Sequence, residues 1–103
     1  MIIYVDIDDT ICYREGNNLN YSDSLPFHNR IEKINKLFEE GNTIIYWTAR
    51  GTKTGINWFH ITYKQLTEWG CKFHELRMNK PYYDLFIDDK NINSVDYFNN
   101  KVN

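Results

Sequence analysis

Ile2-Ile3-Tyr4-Val5-Asp6-Ile7-Asp8-Asp9-Thr10 opens the chain with an unbroken apolar run that stops in a cluster of acids. β-Branched and aromatic side chains without alternation are the pattern of a strand covered on both faces, as in a parallel sheet. A second run of the same kind, Thr43-Ile44-Ile45-Tyr46-Trp47, ends at Thr48-Ala49-Arg50. Between the two lies a polar stretch, residues 13–26, that reads as a loop or short flap. A helix follows it. Ser24 is expected to cap this helix, with Pro26 in its first turn. Phe27, Ile31, Ile34, Leu37 and Phe38 recur at helical spacing, and Gly41 is the stop.

Beyond Arg50 the alternation continues. Gly51 to Gly55 form a flexible loop, and a second helix is predicted from Asn57 to Trp69, with Phe59, Thr62, Leu66 and Trp69 on one face and Gly70 as its end. Cys71 to Met78 reads as a third strand and Asn79-Lys80-Pro81 as a turn. Tyr83 to Ile87 reads as a fourth strand ending at Asp88-Asp89, and residues 94–98 as a short closing helix. The order β-α-β-α-β-β-α predicts one α/β domain over residues 1–103, a mainly parallel sheet with helices on both faces.

Composition narrows the function classes. The chain has 103 residues, 42% hydrophobic and 17% aromatic, with a net charge of -2. It is long enough for one core and neither disordered nor an acidic tail in composition. A pI near 5.9 argues against nucleic acid as a partner, because such binders carry a basic face. The apolar runs are strand-length, so no membrane span is expected. Met1-Ile2-Ile3-Tyr4 has neither a basic region nor a small-residue cleavage site, so no signal peptide is expected and the cytoplasm is the default. The two cysteines, Cys12 and Cys71, make no disulfide framework and no zinc-type spacing.

In a parallel sheet, functional groups gather outside the carboxyl ends of the strands. There the sequence puts Asp6 and Asp8 after the first strand, Thr48 after the second, and Asp88 and Asp89 after the fourth, with Lys80 just ahead of it. Carboxylates, a hydroxyl and an ammonium on one rim suit phosphoryl transfer. Mg²⁺ takes hard oxygen ligands, and a phosphoryl group in flight needs its oxygens held by donors and cations.

The ordered set resembles the haloacid dehalogenase superfamily of phosphohydrolases. Its four motifs are an apolar strand with Asp-x-Asp-x-Thr, a strand-end Ser or Thr, a Lys, and a strand with paired acids. Here they read Ile2 to Thr10, Ile44-Ile45-Tyr46-Trp47-Thr48, Lys80-Pro81 and Asp84-Leu85-Phe86-Ile87-Asp88-Asp89, across roughly residues 1 to 90. Each motif alone is weak; four in order are specific. The resemblance implies a three-layer Rossmann-like fold and an Mg²⁺-dependent phosphatase. Asp6 would be the nucleophile forming an aspartyl-phosphate, and Asp8 the general acid and then base, its backbone carbonyl also on the metal. Thr48 and Lys80 would hold phosphoryl oxygens. Asp88 would complete the metal shell, with Asp89 acting directly or through water.

Physical chemistry agrees with that division. Neighbouring carboxylates need a cation to stay ionised together, and Asp8 needs its pKa raised above the free value of ~3.9 to act as an acid near neutrality. The chain departs from many family members in size, since neither residues 11–42 nor 51–79 have room for a cap domain. Capless members of that family tend to act on bulky or macromolecular phosphoesters or to borrow a lid from a neighbouring subunit, so the resemblance implies an exposed macromolecular phosphate or bulky ester as substrate and allows a homodimer. The polar loops Tyr13–Leu25 and Gly51–Asn57 suit a sugar, polyol or nucleotide phosphate.

Every one of these residues also has an ordinary reading. Strand-end acids are usually solvated, Thr48 alone would be a strand-end cap, and Lys90 lies close enough to compete with Lys80. Arg50 either clamps a substrate anion or pairs with a surface acid. His28, His60 and His74 sit on separate elements and read as ordinary packed or surface histidines. Alternatives of function are a phosphotransferase on the same scaffold, a non-catalytic interaction domain, and a phospho-accepting receiver. The receiver reading suffers because no Asp lies between Asp23 and Asp84 to serve as a mid-sheet acceptor.

Overall fold

The structure is a computed structural model that describes residues 1–99. Its elements run β1 (Ile2–Val5), β2 (Cys12–Tyr13), β3 (Leu25–Pro26), α1 (His28–Glu39), β4 (Thr43–Trp47), α2 (Phe59–Glu68), β5 (Glu75–Arg77) and α3 (Ser94–Asn99). A single 3-10 turn, Tyr21–Asp23, precedes β3. The main sheet has the order β1-β4-β5 and is parallel throughout, with Val5 beside Tyr46 and Tyr46 beside Leu76. Both apolar runs of the sequence are therefore strands, and they are neighbours.

Except for Ile45, the buried core lies on one side of this sheet. Ile3, Val5, Ile44, Tyr46 and Leu76 face inward and meet Ile31, Ile34, Leu37 and Phe38 of α1, Leu66 of α2, and Tyr97 and Phe98 of α3 in a single cluster. Burying each of the fully enclosed aliphatic side chains, Ile31, Ile34, Ile44 and Leu66, contributes about 1.5–3 kcal/mol. The other face shows Ile2, Tyr4, Trp47 and Arg77, with Tyr4 edge-on to Trp47 and Arg77 lying over Tyr4. The expectation of helices on both faces is met on one face only among the described residues.

Two further expectations change. The start of α1 is not capped by Ser24: Leu25–Pro26 instead pairs antiparallel with Cys12–Tyr13 as a two-stranded flap. Phe27 precedes the helix, its N–H donating to Ile11 O at 2.8 Å. Pro26 thus serves as an edge-strand residue, where its missing donor costs nothing. The strand expected over Tyr83–Ile87 does not form, and every residue from Pro81 to Asn93 is exposed. The cause is the connection. Lys80 is pinned at the carboxyl rim, its N–H donating to Thr48 O at 3.0 Å, and only Pro81, Tyr82 and Tyr83 separate it from Asp84.

Candidate functional site

The turn after β1 builds the site. Thr10 and Ile11 N–H groups both donate to Ile7 O, while Asp9 sits at φ +61°, a left-handed conformation that Asp tolerates better than most residues. Ile7 and Ile11 are thereby sealed in the core and the intervening acids face the rim. At the end of β4, Thr48 N–H donates to Arg77 O and its carbonyl holds Lys80, so one short ladder brings Lys80 to the same rim.

Asp6 and Lys80 meet there, with Lys80 Nζ 3.5 Å from Asp6 Oδ1. The Asp6 side chain keeps 39% of its surface exposed and Lys80 only 16%, so the carboxylate is approachable while the ammonium is largely enclosed. Burial pushes the Asp6 carboxyl above its ordinary value. Lys80 and the Ile7 N–H pull it back, and the neighbouring Asp8 charge pushes it up again. Thr10 Oγ1 lies 3.5 Å from Asp6 Oδ2, at the limit of hydrogen bonding, on the side away from Lys80.

Asp8 is held by Arg50. Arg50 Nε and Nη2 donate to the two Asp8 oxygens at 3.0 and 2.9 Å, a bidentate fork. The rest of the guanidinium is met by Thr62 Oγ1 at 3.1 Å, Gln65 Oε1 at 2.6 Å and Ser24 Oγ at 3.3 Å. Its Cζ lies 4.8 Å from the Tyr21 ring centre, and the whole residue is 2% exposed. Arg50 is therefore not open to a substrate anion and does not pair with a surface acid; it positions Asp8 from within the core. Thr48 is also buried, its Oγ1 accepting from Arg50 N–H at 3.1 Å.

Asp88 and Asp89 lie apart. Both are exposed, and Asp89 N–H donates to Asp88 Oδ1 within the pair. Among the described residues no three His, Cys, Asp or Glu side chains gather as a metal-holding group. The Asp6 carboxylate and the Asp8 backbone carbonyl are hard oxygens suited to Mg²⁺, and with Asp88 lying apart the donor set among the described residues of one copy is one carboxylate short of the expected shell.

Sequence reasoning missed Ser24, Thr62 and Gln65 as partners of a buried cation. The available signal was on α2, where Thr62 and Gln65 stand three apart on the face that also carries Leu66. Polar groups on an inward stripe require a polar partner. Cys12, 3.5 Å from Asp8 Oδ1, is buried, and burial pushes its thiol up to about 12.

No family model matches the chain, and no curated protein matches its sequence. Among solved structures it is similar to a crystal structure of a structural-genomics target from Vibrio cholerae, at 24% identity and a TM-score of 0.83, covering 95% of this chain and 87% of that one. This likeness concerns the fold alone: an α/β chain with a parallel sheet.

Proposed function

We propose that the chain is a phosphomonoesterase that works through an aspartyl-phosphate on Asp6. The observation that carries this reading is the approachable Asp6 carboxylate 3.5 Å from the enclosed Lys80 ammonium at the carboxyl end of β1. An anionic nucleophile beside a fixed cation is what attack on a phosphate ester needs. Asp6 Oδ attacks phosphorus and the ester P–O bond breaks. The leaving oxygen takes a proton from Asp8, while Lys80 balances charge on the phosphoryl oxygens. Water then attacks phosphorus, Asp8 takes its proton, and phosphate leaves with Asp6 restored. For either transfer Asp8 must release one arm of the Arg50 fork. Mg²⁺ is the proposed cofactor, and when bound beside Asp6 it supplies neutralising charge between two anions.

The same reading takes the fold as the small, capless, three-layer form of the haloacid dehalogenase type, the substrate as a sugar, polyol, nucleotide or bulky phosphoester, and the cytoplasm as the place of work. A phosphotransferase differs only in letting an alcohol resolve the intermediate. A non-catalytic scaffold is favoured by one observation, the complete occupation of Asp8 by Arg50.

Phosphate release from a panel of aryl, sugar, nucleotide and polynucleotide-end phosphates, with Mg²⁺ and with EDTA, separates these readings. Turnover is expected with Mg²⁺ only, and Asp6→Asn is expected to lower it by at least roughly 10³-fold. Comparable turnover in Asp6→Asn overturns the nucleophile, and silence across the whole panel favours the scaffold.

A further inference from the structure

β1 carries the candidate nucleophile, yet one of its long edges is open: among the described residues it pairs with β4 alone. On the same copy, residues 81–92 make no backbone–backbone hydrogen bond among the described residues. This arm is nonetheless a strand former, Tyr82-Tyr83-Asp84-Leu85-Phe86-Ile87, with Leu85 75% and Ile87 87% exposed. An apolar run standing in water marks an interaction site, and unpaired extended backbone is what an open sheet edge takes up.

The arm cannot reach that edge of its own copy in the direction the site requires. To bring Asp88 to the rim it must run parallel to β1, with Ile87 beside Val5 and Asp84 beside Ile2. Lys80 continues the β5 side of the β4 ladder, level with the residue after Asp6. From there to a place beside Ile2 is three strand spacings of ~4.8 Å across and five residues of ~3.3 Å down, roughly 22 Å in all. Four residue steps span at most about 14 Å. An antiparallel course would carry the acids to the foot of the sheet instead.

We propose that the arm Pro81–Asn93 adds in parallel to the open edge of β1 in a second copy of this chain, so that two copies exchange arms and each supplies Asp88 and Asp89 to the other's Asp6. Both ends of the arm stay on their own copy, Lys80 through Thr48 and Thr52, and Ser94 through its hydroxyl on Asp9 O at 3.1 Å. The contact is self-complementary, as a two-fold dimer requires. It covers the edge beside Ile2 and Tyr4, 71% and 47% exposed in one copy, and supplies the carboxylates that one copy does not gather. The delivery of the acids rests on the phosphoryl-transfer reading; the exchange of arms does not.

Sedimentation equilibrium of the full chain, beside the Leu85→Asp/Ile87→Asp double variant, tests the exchange without any assay of turnover. The parent is expected to be a dimer and the variant a monomer with unchanged circular dichroism, since both side chains are exposed within a copy. A monomeric parent, or a variant that dimerises as the parent does, overturns the proposal. For the delivery of the acids, Asp6→Asn is mixed with Asp88→Asn/Asp89→Asn after partial denaturation. Exchanged arms give a hybrid with one intact site, so activity is expected to return from two dead proteins. If the parent is active and dimeric and the mixture stays dead, the sharing of the site is overturned.

Discussion

A guanidinium sealed inside a small core must have its donors met, and those of Arg50 are met by Asp8, Thr62, Gln65 and Ser24. Replacing it with Met keeps much of the volume but leaves the Asp8 carboxylate, 23% exposed, without its partner. Arg50→Met is expected to lower stability by about 3–5 kcal/mol in urea unfolding, the usual effect of removing one half of a buried pair. Arg50→Lys is expected to recover only part of that, because one ammonium cannot reproduce a planar fork. At this scale the sequence showed which residue types stand at the strand ends but not their depth. Asp6 and Lys80 meet as the spacing suggested. Arg50 could be seen to share their rim, whereas its burial depends on a flap and on α2, which no local pattern connects to it.

Between β4 and α2 the chain turns on Gly51, which sits at φ +81°, with any Cβ falling onto the Ile56 carbonyl oxygen. The blocking atom is backbone and cannot step aside. Gly51→Ala is expected to cost about 2 kcal/mol or more and to lower the melting temperature by roughly 10 °C. Gly16→Ala, at φ +57° with nothing within 4 Å, bears only the conformational cost and is expected to lose about half as much. Thermal unfolding by circular dichroism separates the two. Element by element, β1, β4, α1 and α2 were legible because each carries its own periodicity over a full length. The strand expected over Tyr83–Ile87 was legible as composition, yet its placement is decided by the number of residues behind it and by the hydrogen bond that pins Lys80. Ser24 failed as a cap for a similar reason: its hydroxyl serves Tyr21 O and Arg50 instead.

For the molecule as a whole, burial sets an alkaline limit. It pushes the thiol of Cys12 to about 12 and that of Cys71 to about 11, from an ordinary 9.0. The Tyr46 phenol is raised too, its hydroxyl buried without a hydrogen-bond partner among the described residues. Above pH 9 the unfolded chain releases thiol protons that the folded chain still holds. The folded state then binds more protons than the unfolded one, so stability falls as pH rises from about 9 towards 11. Urea midpoints at pH 7, 9 and 10.5 are expected to change little over the first interval and to drop over the second; a flat profile would contradict the burial of both thiols. The open edge of β1 has a consequence of another kind. A ribosome makes β1 well before residues 81–93, so until the arm emerges that strand is a template with nothing to fill it. Any extended apolar chain nearby, a nascent neighbour included, competes for that place until the arms are made, and crowded expression at high temperature is where that competition is lost to aggregation.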